Sequence, residues 1–67
     1  MKYIIKLHRG AYYLGCERKI DDEKYAYEVD KKIAKRYSTR AKAEHTMNRL
    51  IRTCVNATNA EIEEIEE

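Results

Sequence analysis

Residues 2 to 18, KYIIKLHRGAYYLGCER, constrain the fold more than any other stretch, because apolar side chains alternate with polar ones on both sides of a single Arg-Gly pair. A period of two is the spacing of a strand with one buried face. In the first arm Tyr3, Ile5 and Leu7 alternate with Lys2, Ile4, Lys6 and His8. Arg9 and Gly10 mark a tight turn, after which Tyr12, Leu14 and Cys16 point to one side and Tyr13 and Gly15 to the other. The reading is a β-hairpin.

The polar run DDEK supplies a second turn, and YAYEV then sets Tyr25, Tyr27 and Val29 on a common face. This third strand can continue irregularly through Ile33 to Tyr37, and the three strands are expected to share one apolar face. Ser38 or Thr39 is the natural helix N-cap, since a short hydroxyl side chain accepts from the free amides of a first turn. From there Ala43, Met47, Leu50, Ile51 and Cys54 recur at helical spacing and form a stripe that should cover the sheet. Arg40, Glu44, His45, Asn48, Arg49 and Arg52 fall mainly on the other sides and give a largely basic outer face. NATNA ends the helix. AEIEEIEE reads as a last strand through Ala60 and Ile62 in preference to a short helix with Ile62 and Ile65 three apart.

The expected architecture is α+β: a small, mainly antiparallel sheet of hairpin, third strand and C-terminal strand, covered by one amphipathic helix, in the order βββαβ. Sixty-seven residues allow a single domain over 1–67 with a small core. With 39% charged and 43% hydrophobic residues, the chain is polar yet apolar enough to fold. Two cysteines do not make a disulfide framework, and no apolar run approaches the length of a membrane span. KYIIKL is too short and too polar for the apolar region of a signal peptide. The expected compartment is a reducing cytoplasm with Cys16 and Cys54 as free thiols, a bridge between them staying open at this point.

The stretch IAKRYSTRAKAEHTMNRL carries the pattern Ala-x-x-Tyr-x-Thr-x-x-x-Ala from Ala34 to Ala43. With KYIIKL and YYLG before it, it resembles the strand-to-helix junction of many small uncharacterised proteins encoded by phages and prophages of Gram-positive bacteria. Those relatives usually carry acids just after the Thr, where this chain has Arg40, Ala41 and Lys42. The resemblance implies a small accessory protein that binds a component of the host. It implies no catalytic residue.

Catalytic chemistry finds little support. His8 and His45 are far apart and lack the spacing of a zinc site. Cys16 and Cys54 are expected on the apolar face, where a thiol behaves as a small hydrophobe rather than a nucleophile. The carboxylates Asp21, Asp22 and Glu23 lie in a turn and those from Glu61 to Glu67 at one end, with no walled pocket to tune them. No glycine-rich phosphate loop is present. The expectation is a protein that is not an enzyme and uses no metal or cofactor.

Charge is distributed unevenly. Residues 1–30 balance, residues 31–54 carry +7, and residues 55–67 carry −5. Two binding functions follow. One is a host- or partner-protein binder that docks through a sheet edge, exposed tyrosines and a charged rim, with Tyr13 as an anchor. The other is a nucleic-acid binder using Lys31, Lys32, Lys35, Arg36, Arg40 and Lys42, with Arg49 on the helix face, beside a helix N-terminus that attracts anions. An open edge strand and a small core also favour a homodimer.

Overall fold

The computed structural model describes all residues from 1 to 67. It contains β1 (Lys2–His8), β2 (Ala11–Ile20), β3 (Glu23–Val29), α1 (Arg40–Thr53) and β4 (Glu61–Ile65), with single 3-10 turns at Lys31–Ile33 and Val55–Ala57. The strands form one antiparallel sheet in the order β3-β2-β1-β4. This is the expected βββαβ order of a small α+β fold.

The hairpin forms as the alternation requires, but its faces are not the expected ones. His8 stands opposite Ala11, whereas Lys6 stands opposite Tyr12, so Leu7 is an extra residue in β1. A one-residue bulge exchanges the faces of everything beyond it. Tyr3, Ile5 and Leu7 face α1, as the alternation suggests, and it is Tyr13, not Tyr12, that joins them there; Tyr13 is 2% exposed. Tyr12 turns to the opposite face and packs with Ile4, Ala34, Val29 and Ile65. Tyr25, Tyr27 and Val29 do share a side of β3, but it is the side away from the helix, and Ala26 supplies the core. Cys16 is exposed rather than seated on the apolar face, Cys54 is buried, and both thiols are free.

A second irregularity splits the sheet. Tyr13 pairs with Glu28 and Glu17 with Ala26, so Leu14, Gly15 and Cys16 bulge out opposite Tyr27. Gly15 sits at φ +121°, a conformation that residues with a Cβ rarely adopt. Beyond Tyr13 β2 leaves β1, and the segment Lys35–Tyr37 fills the gap. The Lys35 amide donates to the Tyr13 carbonyl at 2.9 Å, and Tyr37 exchanges two backbone bonds with Tyr3, at 3.0 and 2.8 Å. The third strand therefore does not run on to Tyr37. It stops at Val29, turns through Lys31–Ile33, and returns as a wedge between β1 and β2.

The helix begins where a hydroxyl can cap it: Thr39 Oγ1 accepts from the Lys42 amide at 3.2 Å. Its buried residues Ala43 and Leu50, with Met47 beside them, lie over β1 and β4. The turn Val55–Ala57 covers β3, with Ala57 fully buried. Ile5 and Leu50 have no exposed surface, and burial of such a side chain contributes about 1.5–3 kcal/mol. β4 pairs with β1 from Lys2–Ile65 to Lys6–Glu61, which makes the glutamate-rich segment a strand, as preferred from its sequence. No helix is long and apolar enough to cross a membrane.

Candidate binding surfaces

The basic segment does not stay free in the folded chain. Lys31 forms an ion pair with Glu63, and the hydrogen bond it donates to that carboxylate holds the Lys31 ammonium above its usual pKa. Arg36 is enclosed: Nε donates to Glu67 Oε2 at 3.0 Å with Nη2 in ion-pair contact with the same oxygen at 2.9 Å, and Nη1 donates to the carbonyls of Lys31 and Ala34 at 3.1 and 2.7 Å. A guanidinium with those bonds has little left to offer a ligand. Arg40 pairs with Glu44 one helical turn on, at 3.2 Å, which offsets the unfavourable placement of a cation in the first turn. Arg49 points back to β2 and donates to Glu17 at 2.6 Å.

Of the six basic residues expected to contact phosphate, Lys32, Lys35 and Lys42 make no ion pair, and neither does Arg52 farther along the helix. Lys35, on the 35–38 segment, and Lys42, in the first turn of α1, both line an open groove of about 590 Å³. Ser38, His45 and Thr46 add polar groups, Tyr37 and Ala41 form its apolar part, and no acid lines it. The Lys35 ammonium stands 5.6 Å above the Tyr37 ring. Arg36 lies at the rim and also lines a neighbouring groove with Glu64, Glu66 and Glu67.

The second surface lies on the β2–β3 ribbon. Past the bulge no helix covers it, and Arg18, Ile20, Tyr25 and Tyr27 share the side turned away from α1. Ile20 and Tyr27 are 41% and 38% exposed, and the Arg18 guanidinium lies 5.1 Å from the centre of the Tyr27 ring. Alternation along YAYEV reveals this set of aromatic side chains, but the bulges that expose them leave no mark in composition.

Tyr13, the residue expected as an exposed anchor, is part of the core instead. Its hydroxyl donates to Glu17 at 2.5 Å, and burial pushes its pKa far up. Burial also works to raise the Glu17 carboxyl, but bonds from Tyr13 and Arg49 and the charges of Arg49 and Lys24 outweigh it and hold the group below its usual value. The trio fixes the ribbon to the helix.

The outer edge of the ribbon is partly closed. Asn56 accepts from the Ala26 amide and donates to the Ala26 carbonyl, both at 2.9 Å, and donates again to Glu28 at 3.0 Å. One side chain thus occupies the position that a pairing strand would take at the middle of β3. His8 joins the same corner through Glu28 at 2.6 Å. No group of three or more His, Cys, Asp or Glu side chains comes together, and every buried side-chain polar atom has a hydrogen-bond partner. Compared with protein-family models, curated proteins and solved structures, the chain matches none.

Proposed function

We propose that this protein is a non-enzymatic binding module that docks on another protein through the outer side of the β2–β3 ribbon. The supporting observation is the uncovered set Arg18, Ile20, Tyr25 and Tyr27 on a ribbon that the Tyr13–Glu17–Arg49 bonds hold rigidly to the domain. Tyrosine and arginine anchor protein interfaces well, because they bring large area and hydrogen bonding at small entropic cost. A pre-ordered ribbon loses little freedom on binding.

In keeping with the resemblance to prophage-encoded accessory proteins, the partner in this proposal is a bacterial host protein whose activity the docking modulates or blocks. The test is capture from nuclease-treated bacterial lysate on immobilised protein. A defined polypeptide retained by the wild type and lost with Ile20→Asp and with Tyr27→Asp, both folded by circular dichroism, is the expected result. Equal retention by those variants would remove the ribbon as the docking face.

A further inference from the structure

The groove between the 35–38 segment and α1 shares no residue with the ribbon face and asks for a different ligand. Of the eight cations between residues 31 and 54, four are neutralised within the fold: Lys31 by Glu63, Arg36 by Glu67, Arg40 by Glu44 and Arg49 by Glu17. Two of the remaining four, Lys35 and Lys42, line one groove that no carboxylate lines. Ser38 and Thr46 lie beside them, and Lys, Ser and Thr are side-chain types that contact phosphate oxygens. The Tyr37 ring is 7% exposed, so it offers no platform on which a base could stack.

We propose that this groove binds the phosphodiester backbone of nucleic acid, without regard to sequence, through Lys35 and Lys42. The nucleic-acid contact set expected from the basic run thereby narrows. Lys31, Arg36 and Arg40 already hold acids, and Lys32 lies in the neighbouring acid-rich groove. An acidic polypeptide is the competing ligand, and the experiment separates the two.

The test is fluorescence anisotropy of a labelled oligothymidylate dodecamer with the full chain, titrated at several salt concentrations. Two phosphate contacts give a slope of log K on log salt near −1.4, or about a sevenfold loss of affinity between about 50 and 200 mM salt. Lys35→Glu with Lys42→Glu abolishes binding, while the charge-matched pair Arg9→Glu with Lys19→Glu keeps it. Lys42 is exposed on the helix and forms no ion pair, so Lys42→Glu alone keeps the fold and halves the slope. Absence of binding by the wild type at low salt overturns the proposal. So does equal loss in the Arg9/Lys19 control, or binding of a poly-glutamate peptide as tight as that of the oligonucleotide. Each result is independent of the ribbon variants, so this site and the protein-docking face stand or fall separately.

Discussion

Tyr13 and Arg49 hold the two oxygens of one carboxylate: the Tyr13 hydroxyl donates to Glu17 Oε2 at 2.5 Å and Arg49 Nη1 donates to Oε1 at 2.6 Å. The bond spans strand and helix across thirty-two positions of sequence. Tyr13→Phe keeps the ring in the core and removes one bond to a charged acceptor, so it is expected to cost about 1.5–3 kcal/mol in urea denaturation. Arg49 is 42% exposed on its side chain, and solvent screening keeps its coupling to Glu17 in a double-mutant cycle to about 1 kcal/mol or less.

Acid should unfold the protein through a defined set of carboxylates. Glu28, Glu63 and Glu67 are held below their usual pKa, first of all by hydrogen bonds from His8, Lys31 and Arg36, and Glu17 is lowered on balance against its burial. Their folded values lie below the unfolded one, so the stability they contribute is present above about pH 4.3 and is lost as pH falls through the folded values. Thermal melts between neutral pH and pH 3 should show a midpoint that drops only in the acid range. Glu17→Gln should melt lower at neutral pH and fall less steeply.

Alkali acts with the opposite sign. Burial raises the phenols of Tyr13 and Tyr37, which stay neutral in the folded chain while unfolded tyrosines ionise near pH 10. The stability they contribute is complete below about pH 10 and is lost as pH rises above it. In an ultraviolet absorbance titration part of the tyrosine signal should appear late, together with unfolding. Tyr13→Phe should remove one late phenol.

Asn56→Ala removes both bonds to the Ala26 backbone and uncovers the middle of β3. Leaving that amide and carbonyl without their partner is expected to cost about 1–3 kcal/mol. The opened edge should also promote self-association. Sedimentation velocity on wild type and variant at matched concentration would show the difference.

The two glycines should not tolerate alanine equally. Gly10 has φ +76° and open space around the position of a Cβ, so Gly10→Ala is expected to cost about 1 kcal/mol from backbone strain alone. Gly15 has φ +121°, and a Cβ there would meet the Lys35 Cδ at 3.1 Å, so Gly15→Ala is expected to cost about 2–3 kcal/mol. Chemical denaturation of both variants provides the comparison.

The elements themselves were largely legible, because each rests on a local pattern. Alternation marks the hairpin, the hydroxyls of Ser38 and Thr39 mark the cap region, the stripe from Ala43 to Cys54 marks the helix, and AEIEEIEE reads as a strand. The faces were not legible beyond Leu7. Nothing in the letters distinguishes a strand with one extra residue from one without, and that residue decided whether Tyr12 or Tyr13 entered the core. The two adjacent tyrosines are both buried, one on each side of the sheet, so apolar character alone could not choose.

The binding surfaces were legible in the same partial way. The charge run from Lys31 to Lys42 named the right region, but its neutralisation by Glu63 and Glu67 joins residues about thirty positions apart and follows only from the β1–β4 register. Alternation groups Tyr25 with Tyr27, but the fold turns the pair away from the helix instead of toward it. Their exposure follows from two bulges.

The wedge at Lys35–Tyr37 carries a consequence for the order in which the domain assembles. β2 and β3 can close by themselves around Asp21 and Asp22, whose φ of 51° and 67° suits a two-residue turn. β1 cannot be completed by its neighbour in sequence. Much of its length waits for Tyr37 on one side and for β4 on the other, so the first strand made is among the last secured. Such distant pairing costs loop entropy before any contact rewards it, and folding should be slow for a chain of this size. Until then β1, with Ile4, Ile5 and Leu7, has neither of its edges paired along its whole length.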